Sequence, residues 1–268
     1  MGDETTPLSP LMRVAIPLAL GALVIGIWEL LVWWLEVPKF ILPAPSMIGH
    51  SLLTDYPSLL ASLWITLRIT LMAFVIALAA GVALAVLSTQ WRVVEISIFP
   101  YAVALQVTPV VAIAPLILIW VGVEHIDRAL LILATIVAFF PILSNTTLGL
   151  KSVDHNLRDL FQLYGASRWQ RLRLLQLPAA QPYLLGGMKI SGGLALIGAV
   201  VAEFVAGSGT GSGLAWRIVE SANRLNIPRM FAALLMLSAL GIAIFLLLAG
   251  LEKLLLGRWH ESAVQRER

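Results

Sequence analysis

The chain has 268 residues, 59% of them hydrophobic and 12% charged, with a net charge of +3 and a mean hydropathy of +0.91. Soluble domains carry about 25% charged residues, so this composition excludes an ordinary soluble globule and places the chain in a bilayer. With no cysteine, it also excludes disulfide scaffolds and thiolate metal sites.

A hydrocarbon core about 30 Å thick takes about 20 apolar residues of helix to cross. Residues 14–28 are free of charge, and the apolar run passes through Glu29 to Leu35. This predicts a first span near 13–35. Its leader contains Asp3 and Glu4 and no small-residue cleavage site follows, so it reads as a retained anchor. Glu29, among Trp28, Trp33 and Trp34, reads as an interfacial residue at the aromatic belt.

Charge is also missing from 69–91, 96–123, 129–150, 190–202 and 230–251. These runs predict spans near 64–88, 97–121, 129–149, 184–206 and 230–251. Barrel strands would alternate and run only about 10 residues. The third and fourth spans hold Pro100, Pro109, Pro115 and Pro141. Proline frees backbone groups that a membrane tolerates only beside protein or a cavity. Gln106 and Thr108 beside Pro109, and Asn145 and Thr146 after Pro141, are therefore candidates to line a translocation path. Helix-to-helix hydrogen bonding is the alternative for each. Glu203, an acid near the end of the fifth span, is a further path candidate, with snorkelling to the interface as its alternative. Gly207–Gly213 reads GSGTGSG, a re-entrant loop or gate, or an ordinary turn.

Orientation follows from Lys and Arg. With both termini cytoplasmic, twelve of the 18 fall inside and six outside. The inside set includes Arg158, Arg168, Arg171 and Arg173, all between the fourth and fifth spans. Leu157, Leu160, Phe161 and Tyr164 there share one helical face. Gly165 permits a sharp backbone change. A second short helix, with Trp169, Leu172 and Leu175 on one side, is expected to close at Pro178. Two short amphipathic helices meeting at an elbow predict a compact knob. It suits docking into a groove on another protein, with anionic lipid as the alternative surface.

Asp159-Leu-Phe-Gln-Leu-Tyr-Gly165-Ala166, followed by Leu177-Pro178, Pro182 and Gly186, resembles the EAA loop of ABC importer permeases. Asp159 stands where the family usually has Glu, and Leu160 and Phe161 where it has two alanines. Phe40-Ile-Leu-Pro-Ala-Pro-Ser46, Pro109-Val-Val-Ala-Ile-Ala-Pro-Leu116, Phe139-Phe-Pro-Ile-Leu-Ser-Asn-Thr146 and Ala202-Glu203 extend the likeness to the nitrate/sulfonate/taurine-type subfamily. Val121–Asp127 departs from that subfamily's usual loop. The resemblance covers about residues 40 to 252 and implies an all-α membrane protein of six spans with the type I importer fold. It implies an anchor and linker over 1–61, a transmembrane domain over 62–252 with a coupling loop at 151–183, and a cytoplasmic tail over 253–268. It further implies a docking surface for an ATPase made of Asp159, Leu160, Phe161, Tyr164, Gly165, Ala166, Ser167, Trp169, Arg171 and Pro178. The expected partners are two ATPase subunits carrying ATP and Mg, an extracytoplasmic binding protein, a second copy of the chain and membrane lipid, with no nucleic acid. The expected location is a bacterial inner membrane.

The chain has no G-x-x-x-x-G-K-[ST] phosphate loop. His50, His125, His155 and His260 are not at metal-ligand spacing, and no catalytic residue, metal or cofactor is expected in the chain itself. Three function classes are open: an ATP-driven importer permease, an ion-coupled secondary transporter, and a membrane-embedded enzyme. A secondary transporter would need intramembrane acids or an inverted repeat, and an enzyme would need clustered catalytic side chains. The resemblance favours the first, with a small anion or a pyrimidine or vitamin precursor as cargo.

Overall fold

Two helices, α6 (Ile126–Lys151) and α9 (Leu177–Ala206), make the most extensive helix pair in the molecule. They run antiparallel and meet through small residues. A Cβ on Gly198 would sit 2.9 Å from the Ala134 Cα, and one on Gly187 would sit 2.9 Å from the Asn145 Cβ. A Cβ on Gly149 of α6 would come within 2.9 Å of the Ala180 Cα. Between these points the Ser191 Oγ donates to the Ala138 carbonyl at 2.7 Å, so its buried hydroxyl is satisfied across the seam. In lipid no hydrophobic force pulls helices together. Close van der Waals packing and interhelical hydrogen bonds do so instead, and small residues permit both.

A third helix, α3 (Tyr56–Gln90), lies against α6 with Ala73, Ala77, Gly81 and Ala85 buried at every fourth position. A Cβ on Gly81 would meet the Ile142 Cγ2 at 2.7 Å. Around this three-helix centre stand α1 (Pro10–Trp34), α4 (Arg92–Val107), α5 (Val110–Val121) and α11 (Ile227–Leu256). The computed structural model describes residues 10–206 and 213–257. Among them five helices are long and apolar enough to cross a membrane, and α4 with α5 supplies a sixth, bent one. No strand occurs among the described residues, so the architecture is the all-α, six-span one expected. α1 is peripheral: it touches α2 (Pro45–Thr54), and its Trp28 ring lies 6.0 Å from that of Phe231 on α11.

The third span departs from expectation. The sequence predicts one helix over 97–121, but α4 and α5 are bent by 105° at Thr108–Pro109. The residue before a proline is steered away from the α region, and Thr108 is extended, with φ −71° and ψ 124°. Its Oγ1 donates to the Ala104 carbonyl at 2.7 Å, capping the end of α4. Pro109 then precedes α5, where a missing N–H costs nothing. Pro100, Pro115 and Pro141 are absorbed inside helices.

A second correction concerns Pro178, which does not close the short helix before it. The chain runs from α8 (Arg168–Arg171) through a π-turn over Leu172–Gln176 directly into α9. In a straight α-helix Pro178 would lack an N–H for the Leu174 carbonyl and clash with it. The wider turn, in which the Leu177 N–H reaches the Leu172 carbonyl, absorbs the extra residue. The loop expected over 151–183 therefore gives way to helix at Leu177, not 184. Among the described residues, α2 and α10 (Leu214–Asn223) are short α-helices outside both the expected spans and the expected knob.

The strand-free topology puts α7 (His155–Leu163) and α8 at one end of the bundle, with the start of α4 and the end of α6. At the other end lie α10 and the start of α3, joined by hydrogen bonds to α3 side chains, with α2 packed beside them.

Candidate functional site

The knob is built by local capping. Asp154 accepts from the Asn156 N–H at 2.7 Å and starts α7. At the other end the Ala166 N–H reaches the Phe161 carbonyl at 2.9 Å and the Gly165 N–H reaches Gln162 at 3.0 Å. These two bonds are a Schellman cap, which requires a left-handed residue, and Gly165 has φ +66°. Nothing lies within 4 Å of a Cβ placed there, so the demand for glycine is one of backbone alone. Ser167 then opens α8 with a reciprocal capping box. Its Oγ accepts from the Gln170 N–H at 3.2 Å, and its N–H donates to the Gln170 Oε1 at 2.8 Å. The Ser167-x-x-Gln170 spacing is the sequence signal of this box.

Only one face of the knob is anchored. Leu172 is buried with Ala85, Leu143, Leu150 and Ala180, whereas α7 has no buried residue. Leu163 is 85% exposed, Tyr164 83% and Trp169 64%, with Leu157 and Leu160 also exposed. Phe161, Ala166 and Arg171 are half-buried, and Pro178 is exposed at the start of α9. Asp159 faces the His155 Nδ1 at 3.0 Å on the exposed side of α7. This apolar row is flanked by basic residues, held at a fixed angle, and has no partner among the described residues.

At the far end of the bundle Glu203 is 1% exposed, which rules out snorkelling. Its Oε1 accepts from the Thr66 hydroxyl at 2.8 Å and its Oε2 from the Ala215 N–H at 2.9 Å. The Thr66 Oγ1 accepts in turn from the Leu214 N–H at 2.9 Å. Two side chains, from α9 and α3, thus satisfy the first orphan donors of α10. A Cβ on Gly213 would overlap the Glu203 carboxylate and the Thr66 hydroxyl, so only glycine fits there. Residues 207–212 of the expected glycine-rich loop lie outside the described residues.

Thr66 belongs to a hydroxyl stripe on α3. Ser62, one turn earlier, accepts from the Arg217 Nε at 2.9 Å, and Ser58 accepts from the Arg229 Nη2 at 3.0 Å. One face of α3 therefore fastens α9, α10 and α11 at four-residue steps. Arg217 and Arg224 both pair with Glu220, at 2.7 and 2.9 Å. The Arg217 hydrogen bond holds the Glu220 carboxyl below the usual carboxylate range. Glu29 is likewise a cap: its carboxylate accepts from the Ser46 N–H at 2.9 Å and the Ser46 Oγ at 2.7 Å, at the start of α2.

The remaining path candidates do not converge on Glu203. Gln106 is exposed beside the α4–α5 elbow, where Thr108 caps α4. Asn145 is half-buried and donates to the Pro141 carbonyl at 2.8 Å. Thr146 is buried with its hydroxyl unpaired. No group of three or more metal-ligating side chains occurs among the described residues.

The family model for binding-protein-dependent transport system inner membrane components matches residues 77–257. The chain belongs to this family. It is similar to the riboflavin transport system permease protein RibX of Chloroflexus aurantiacus, 34% identical over 93% of this chain and 91% of that one. It is similar also to the formylaminopyrimidine transport permease protein ThiX of Halalkalibacterium halodurans, 32% identical over 86% and 90%. The putative aliphatic sulfonates transport permease protein SsuC of Bacillus subtilis is 28% identical over 91% and 87%. A crystal structure of an amino acid ABC transporter with histidines shares the fold, with a TM-score of 0.63 and 17% identity over 78% of this chain and 97% of that one. The chain is thus a multi-pass permease subunit of an ABC importer of small solutes, the membrane component that works with an ATPase and a binding protein. The resemblance read from the EAA-like loop and the proline motifs is borne out.

Removing the acceptor at Glu203 exposes the start of α10. Glu203→Ala leaves the Ala215 N–H unpaired in a buried site, at a cost of about 1–3 kcal/mol. Hydrogen exchange at the Leu214 and Ala215 amides of Glu203→Ala should rise at least about tenfold over wild type, in line with that cost. Exchange equal to wild type would show that the carboxylate does not hold this helix.

Proposed function

We propose that the exposed face of the knob docks into the ATPase subunit of the importer. Asp159, Leu160, Phe161, Tyr164, Gly165, Ala166, Ser167, Trp169, Arg171 and Pro178 form or support the contact. The observation that carries this reading is the apolar row on α7, without a partner among the described residues, ending at Tyr164, 83% exposed, and fixed by the Gly165 cap. The knob is then cytoplasmic, as are both termini, and α2 and α10 are extracytoplasmic in a bacterial inner membrane. Two copies of the chain grip two ATPases, which hold ATP and Mg. The boundaries 1–61, 62–252 and 253–268 divide anchor, transport domain and tail.

In this reading α6, the knob and α9 act as one lever. Arg168–Ala206 is continuous helical chain of 39 residues, about 58 Å long at 1.5 Å per residue. A pull on the knob by ATP-driven closure of the ATPases is passed along α9 to Glu203 and α10. The path between the two copies is lined near the α4–α5 elbow, at Gln106 and Thr108, with Asn145 and Thr146 of α6 behind it. Glu203 serves the path by positioning α10.

For cargo we propose a flat nitrogen heteroaromatic compound of the vitamin or pyrimidine-precursor class. It is supported by likeness to permeases named for riboflavin and formylaminopyrimidine at 34% and 32% identity. A small sulfonate-like anion is the second reading, supported by 28% identity to SsuC. Competition uptake in cells with unlabelled riboflavin, aminopyrimidines and taurine separates the two. Inhibition by taurine alone would overturn the first.

Docking is tested at the elbow. Forcing a β-branched residue to φ +66° costs of order 1–3 kcal/mol. Gly165→Val should insert normally, lose ATPase co-purification and abolish transport. Arg13→Gln, outside the knob, serves as the control. Unchanged co-purification of Gly165→Val would refute the docking role.

A further inference from the structure

We propose that the basic cleft between the knob and the ends of α3 and α6 binds the phosphate of an anionic phospholipid headgroup. The cleft lies between α7–α8 and the ends of α3 and α6 and shares Asp159 and Arg171 with the proposed ATPase contact, so the test reads lipid retention and ATPase co-purification separately. It has a volume of about 560 Å³ and is lined by Lys151, Arg158, Arg168 and Arg171. The single acid in its lining is Asp159, already engaged by His155 at 3.0 Å. Lys151 pairs with Glu95, and Arg158 uses one Nη2 donor on the Lys151 carbonyl at 2.8 Å. Among the described residues no salt bridge holds Arg168 or Arg171. Two guanidinium forks held by no salt bridge, in a concave site, match the bidentate geometry of phosphate.

The walls are tethered. The Gln90 Nε2 donates to the Gln176 Oε1 at 3.2 Å, joining the end of α3 to the π-turn behind α8. The cleft is also at headgroup depth, because α3 ends at Gln90 and α6 at Lys151, where their charge-free runs stop. Trp91, half exposed at the same level, has the amphipathic character of interfacial tryptophan. A second recess of about 410 Å³ shares Thr89 and Lys151 with the first, adds Arg92 and the Glu95 that pairs with Lys151, and reaches Ile96, 65% exposed on α4. A phosphate in the cleft thus has an apolar helix face beside it for an acyl chain, which a free phosphate would not use. This apolar continuation favours lipid over a soluble anion.

The test uses the full-length chain in a neutral detergent, with native mass measurement of bound phosphatidylglycerol against phosphatidylcholine. Wild type should retain phosphatidylglycerol in clear preference, and Arg168→Gln with Arg171→Gln should lower that preference about tenfold or more. The Arg168→Lys, Arg171→Lys pair keeps the charge but not the fork and should fall between. It also decides the matter if the Gln pair fails to fold, because a Lys pair equal to wild type would overturn fork recognition. An unchanged preference in a folded Gln pair would overturn the site. Displacement of the lipid by glycerol phosphate at equal concentration would overturn the lipid source. Loss of ATPase co-purification with lipid preference intact would assign the arginines to the protein partner and overturn the proposal.

Discussion

The structure depends on how closely α6 and α9 approach each other. Gly149, Gly187 and Gly198 each leave no room for a Cβ against the facing helix, and Ser191 bonds across it. In water such a seam would be one contribution among many. In lipid, where apolar burial does not distinguish protein from solvent, it is the main source of helix association. α3 extends the same device with its four-residue row of small residues. The knob interrupts this hairpin at one end, and Glu203 lies near the other. Two surfaces that face different compartments therefore hang on the same pair of helices.

Polar side chains, some buried and some exposed, cap the helix starts. Glu203 and Thr66 cap α10, Glu29 caps α2, Asp154 caps α7 and Asn226 caps α11. Each supplies an acceptor to N–H groups that have no carbonyl within their own helix. A buried acid in a membrane protein invites a transport role. Here both oxygens of Glu203 are already occupied by donors from the fold, which makes it a positioning residue for α10.

The spans were legible because a run of about 20 uncharged residues has few other uses. α6, expected over 129–149, is Ile126–Lys151, and α11, expected over 230–251, is Ile227–Leu256. The knob was legible because its signals are local: the amphipathic row, Gly165 and the short spacing between them. The bend at Pro109 was not. The other three prolines of the third and fourth spans sit inside helices, and what distinguishes Pro109 is an extended Thr108 whose hydroxyl finishes α4. The role of Glu203 was not legible either, since its partner Thr66 is 137 residues away in sequence. The hydroxyls at 58, 62 and 66 were a visible stripe, but their partners on α9, α10 and α11 are set only by the assembled bundle. Pro178 was misread because a π-turn, which carries no reliable sequence mark, takes up the strain that would otherwise end the helix.

The central claim is that the α6–α9 seam carries movement from the knob to the far end as a rigid unit. Gly198→Ile tests it, because the added side chain must part α9 from Ala134 and Val137, where a Cβ alone would lie 2.9 Å and 3.2 Å away. Overpacking of this kind costs about 1–3 kcal/mol, enough to loosen the seam without preventing insertion. The measurement is binding-protein-stimulated ATP hydrolysis and uptake in proteoliposomes, with ATPase co-purification as the control. The account predicts that the ATPase stays bound while stimulation and uptake fall about tenfold, an effect of about 1.4 kcal/mol. Normal uptake by Gly198→Ile would contradict it.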